Sequence, residues 1–94
     1  MTRGEAARVL ARVDALMAQI AAALPEWGRD AVKGAAWSAA FHEEHGRAVR
    51  AVGVMFGRPV LVLAGGAVEV QWEQGPHPWP FRGVEALTVR AVLA

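Results

Sequence analysis

The sequence predicts an α+β domain: an N-terminal antiparallel helical hairpin packed on one face of a three- or four-stranded antiparallel meander sheet. Three observations carry this. Residues 49–72 hold three short runs rich in Val, Leu and Phe, cut by Gly57-Arg58-Pro59 and by Gly65-Gly66, which is the punctuation of strands joined by tight turns. Residues 2–45 repeat apolar side chains at three- and four-residue spacing, the period of amphipathic helices. The stripe Val9, Val13, Leu16, Ile20 and the row Val68, Val70, Trp72 are complementary apolar faces, and two such faces stabilise each other by contact.

The first helix is expected over 2–24. Thr2 followed by Glu5 fits a capping box, and Val9, Val13, Leu16, Met17, Ile20 and Leu24 form one stripe with Arg8, Arg12 and Gln19 away from it. Pro25 ends the run, because it has no backbone N–H to donate. It is also suited to open a second helix over 26–45, with Glu26 and Asp30 near the positive N-terminus. Trp27, Ala31, Ala35 and Ser38 make one row of that helix, Val32, Ala36 and Ala40 another, and Trp37 and Phe41 a third. Apolar residues most of the way round predict contacts on two sides. Gly28 and Gly34 lower helix propensity but permit close approach by a neighbouring helix, and Gly46 is the expected stop.

The meander occupies 47–73. The first strand is expected over 47–56 with Val52, Val54 and Phe56 on one face, the second over 60–64, and the third over 67–73. In the third, Val68, Val70 and Trp72 alternate with Glu69, Gln71 and Glu73, a pattern that predicts one buried and one wet face. The second strand is apolar on both faces, so either something covers its second face or it lies in an interface. Residues 74–83 read Q-G-P-H-P-W-P-F-R-G, and three prolines in five residues exclude regular structure there. Residues 84–94 suit a fourth strand or a short helix. Alternation of Leu87, Val89, Ala91 and Leu93 with Thr88 and Arg90 favours the strand.

Composition narrows function mainly by exclusion. A chain of 94 residues is one small domain with a thin core, yet 54% of it is apolar. Surplus apolar surface in such a domain points to self-association. The net charge is +1, which signals neither nucleic acid nor an acidic partner. With no cysteine, disulfides and thiol chemistry are excluded, and the composition fits a reducing, cytoplasmic setting. No apolar run reaches the ~20 residues of a membrane span, and Glu5 and Asp14 interrupt the order that a secretory leader needs. Nine arginines against one lysine, much alanine and no asparagine point by association to a GC-rich bacterial or phage genome.

Few residues offer chemistry. His42-Glu43-Glu44-His45 places two histidines three apart, one short of the spacing in zinc proteases. His42 and His45 with His77 as a third nitrogen are conceivable ligands for zinc or nickel, but a polar helix end explains the tetrapeptide more simply, and no metal or other cofactor is expected. Arg3, Arg8, Arg12, Arg47, Arg50 and Arg58 read as solvated surface rather than a nucleic-acid patch, since no stacking platform accompanies them. Ser38 is the single serine, inside an alanine-rich helix, and Thr2 and Thr88 have no evident base. The set does not compose an active site.

The leading expectation is therefore a non-enzymatic interaction module, a homo-oligomer with a dimer favoured. It would act as an adaptor, assembly or regulatory factor for a larger bacterial or phage machine, with a further protein partner. The candidate contact residues are Trp37, Phe41, Leu61, Leu63, His77, Trp79 and Phe81. The alternative is a small-molecule-binding or minor catalytic domain whose pocket lies between sheet and helices, walled by Trp37, Trp72 and Trp79 with His77 or Glu73 as polar contact. Nucleic-acid binding through the arginines is the third and weakest reading.

Overall fold

The chain is described by a computed structural model over residues 2–55, 58–70, 77–78 and 87–92, with side chains for 2–54, 59–67 and 70. Helix α1 spans Arg3–Ala23. The Glu5 N–H donates to Thr2 Oγ1 at 3.1 Å, as the capping signature requires. Val9, Val13, Leu16 and Ile20 are its buried residues, the stripe read from the sequence.

Helix α2 spans Arg29–Glu44 and starts later than the sequence pattern predicts. Pro25 does not open it. The Leu24 N–H closes α1 on the Ile20 carbonyl at 2.8 Å, and the Trp27 N–H donates to the Leu24 carbonyl at 3.0 Å, so residues 24–27 make a turn. Gly28 is the N-cap. The turn sets both Leu24 and Trp27 against the core, and burying an indole outweighs the small propensity gained by three more helical residues. Trp27 precedes the cap and Val32 is the fourth helical residue; both join the same cluster, the arrangement of a hydrophobic staple.

The sheet contains β1 (Val49–Met55), β2 (Arg58–Leu63) and β3 (Gly66–Glu69), an antiparallel meander, with β4 (His77–Pro78) and β5 (Leu87–Val92) beside it. The order is β4-β3-β2-β1-β5, so residues 87–92 return to pair with β1. Both helices pack on one face: α2 lies over β1 and β2, and α1 runs along α2 and reaches β5. Arg8 Nε donates to Glu44 at 2.6 Å and Arg12 Nε to Glu43 at 2.9 Å, which pins the antiparallel hairpin. Glu43 and Glu44 thus do not simply face water, and two of the arginines read as solvated surface are committed to them. The Arg8 hydrogen bond holds the Glu44 carboxyl below its ordinary range, and the same bond raises Arg8.

Two ladders carry an extra residue, and both extras are arginines. Between β1 and β2 the register passes from Val49↔Leu63 to Ala51↔Val62, leaving Arg50 over. Between β1 and β5 it passes from Val52↔Ala91 to Gly53↔Val89, leaving Arg90 over. The bulge at Arg50 lets Val49 join Val52 and Leu61 in the core although they are three apart in sequence.

The other face of the central strands is also covered in part. Val60 is 0% exposed, Ala51 6% and Ala67 8%. These stand apart from the cluster beneath the helices, yet they are buried within a single chain. On this face of β2 Val60 is covered within the chain and Val62 is half-buried.

Candidate functional site

Two adjoining clefts open between the N-terminal end of α2 and the β1–β2 hairpin. One, of about 280 Å³, is lined by Glu26, Trp27, Gly28, Ala31, Val54 and Pro59. The other, of about 270 Å³, is lined by Asp30, Ala31, Gly34, Pro59 and Val70. Ala31 and Pro59 belong to both. The first exists because α2 begins at Arg29, after the Gly28 cap, and not at Glu26: the turn places Trp27 with Val54 and Pro59 around Ala31. Gly34 lines the second cleft, facing Pro59 of β2 and Val70. The floor is apolar, and the carboxylates of Glu26 and Asp30 sit at the mouth.

One turn further along α2, on the row Gly34–Ser38–His42, lies a buried polar group. Ser38 is 2% and His42 4% exposed. Arg47 Nε donates to His42 Nδ1 at 2.7 Å, so the neutral ring carries its proton on Nε2. That Nε2 and the Ser38 hydroxyl are buried without a hydrogen-bond partner among the described residues. Burial, the Arg47 charge and the His45 charge, in that order, push the His42 pKa down to about 4. The residue reads as a neutral structural histidine.

The same loop ends α2. The Arg47 N–H donates to the His42 carbonyl at 2.9 Å and the Gly46 N–H to the Glu43 carbonyl at 3.0 Å, with Gly46 at φ +75°. These are the paired bonds of a Schellman stop. His45 is exposed, its Nδ1 lies 2.9 Å from the Phe41 carbonyl, and its ring lies on Phe41 at 4.3 Å between centroids.

The sequence candidates are thus dispersed. His42 points inward and is held by Arg47, His45 lies at the surface, and His77 is in β4 opposite Glu69; among the described residues no three metal-ligating side chains gather. Leu61 is fully buried in the core, and Leu63 is half-buried against it. Trp37 and Phe41 are half-buried on the flank of α2. Trp72, Glu73, Trp79 and Phe81 lie outside the described residues. Trp27 was missed, because its place in a helical row hid the staple signal that Trp27-Gly28 before Val32 provides. No family model, curated protein or solved structure matches the chain.

Ser38 supplies a prediction of uncommon sign. Removing a buried hydroxyl that has no partner, and gaining alanine's helix propensity, should make Ser38→Ala about 1 kcal/mol more stable than the parent. Urea unfolding of both proteins measures this. A loss of stability would show that the hydroxyl is bonded in solution.

Proposed function

We propose that the protein is a non-enzymatic interaction module, an adaptor, assembly or regulatory factor, that binds an extended segment of a partner protein in the cleft beside Trp27. The observation that supports this is an apolar floor made by Trp27, Ala31, Val54 and Pro59, open to solvent, with the Glu26 carboxylate beside it and Asp30 beside the adjoining cleft. Ligand pockets that enclose a small molecule run about 300–1,000 Å³ and bury most of it. Two shallow, connected clefts of about 270–280 Å³ suit successive side chains of a peptide better. The single serine lies buried away from the clefts, which favours binding over catalysis.

Self-association is the second reading, and Leu10, 58% exposed on α1, favours it. Two features of the fold stand against it. The all-round apolarity of α2 is used by α1 and the sheet, and strand-edge pairing is discouraged by the two-residue β4 with Pro78 and by the bulge on β5.

Selection of displayed random peptides, with nuclear magnetic resonance mapping of the winners, tests the proposal. Shifts should concentrate on 26–34, Val54 and Pro59, and Ala31→Arg should weaken binding at least tenfold. Winners mapping elsewhere, or equal binding by the variant, would reject the cleft. A dimer in light scattering that Leu10→Glu abolishes would transfer the function to the second reading.

A further inference from the structure

We propose that the side-chain bond between Arg47 and His42 is an acid-sensitive latch on the C-terminal stop of α2, and that protonation of His42 opens the junction between α2 and β1. A Schellman stop is usually backed by an apolar contact between the residue that donates the outer bond and the residue that accepts it. Here those residues are Arg47 and His42, joined twice: by the backbone bond of 2.9 Å and by the side-chain bond of 2.7 Å. The apolar contact has been replaced by a hydrogen bond that exists in one protonation state only. A protonated imidazole presents N–H at both nitrogens, so Nδ1 can no longer accept from Arg47, and two like charges meet at the same point. The new cation would also be buried, with its Nε2 N–H still facing no acceptor.

No described neighbour offers relief. On α2, Glu43 and Glu44 are engaged by Arg12 and Arg8 of α1, and His45 adds positive charge from the helix end. β1 enters the junction with the buried Val49 and the exposed Arg50. The described groups around the ring are therefore cationic or committed. Ser38, one turn back on the same face, is neutral and can accept a bond only by a shift of the buried ring.

The sign follows from the depressed value. The ring binds its proton at about 4 in the folded chain and at its ordinary 6.5 when unfolded. Between those pH values the unfolded or locally opened state holds more protons, so stability is complete above about 6.5 and falls as pH drops toward 4. A shift of that size corresponds to at most about a 300-fold change in the opening equilibrium, and screening near the exposed Arg47 lowers it toward tenfold.

The experiment follows the His42 ring by nuclear magnetic resonance between pH 7 and 3, with amide protection factors for Gly46 and Arg47. A depressed His42 titration should coincide with a loss of protection at Gly46 and Arg47 of ten- to 300-fold. In His42→Leu that loss between pH 6.5 and 4 should disappear; in Arg47→Leu, where burial still depresses the ring, it should shrink, and His45→Gln should retain it. A wild-type ring that titrates near 6.5, or protection that falls equally in His42→Leu, would overturn the latch. The wild-type titration decides the matter even if a variant fails to fold.

Discussion

Replacing Leu16 by alanine should cost about 2–5 kcal/mol, the range for truncating a fully buried leucine. Leu16 sits mid-stripe on α1, between Val13 and Ile20, and is 0% exposed. The hairpin ion pairs lie near one end of α1 and α2, so nothing rigid next to Leu16 can collapse into the cavity without moving α1 as a whole. For a domain whose total stability is of the order of 5–15 kcal/mol, this is a large fraction, and it should lower the melting temperature by about 10 °C or more. Chemical denaturation with Leu10→Ala as the exposed control on the same helix checks it. A loss below about 1 kcal/mol at Leu16, or an equal loss at Leu10, would place the stripe on the wrong side of α1.

The opposite error should be nearly as damaging. Ala36→Leu is expected to cost roughly 2–3 kcal/mol through overpacking. Ala36 has no exposed surface, and helical spacing puts it in line with Val32, Ala40 and Glu43, the residue that meets Arg12 of α1. Small side chains on that line set the distance between the helices. Three added carbon atoms have to push α1 outward, which stretches the Arg12–Glu43 bond as well. The same denaturation measurement decides the sign. A neutral or stabilised Ala36→Leu would mean that α1 and α2 are not in close contact there.

The helical hairpin and the central three strands were legible because their information is periodic and local. Val9 to Ile20 repeats at helical spacing, and the break at Pro25 and the turn at Gly65-Gly66 are single-residue signals. The start of α2 was not legible in the same way. Pro25 and Trp27 each argue a boundary, and the outcome depends on packing of the indole against residues distant in sequence. The wet face expected of the third strand rests on Glu69, Gln71 and Glu73, whose side chains lie outside those described. Of the candidate site, the histidine pair was visible but its roles were not. His42 and His45 differ by three positions in sequence, and only the stop at Gly46 decides which of them turns inward. The cleft was hidden because Trp27, Ala31 and Pro59 carry no motif and meet only in the folded chain.

The bulge at Arg50 has a consequence for the length of the chain. Insertions and deletions inside a strand normally exchange its two faces for everything downstream. At Arg50 they need not. Removing this one residue would leave Val49 followed by Ala51 and Val52, a regular ladder in which Val49 and Val52 still share the core face. Removing Gly53 would instead put Val54 directly after Val52 and so on the opposite face. Position 50 is thus a point where β1 can lose a residue while its core-facing side chains keep their places, and sequences that diverge from this one can change length there without rebuilding the interior.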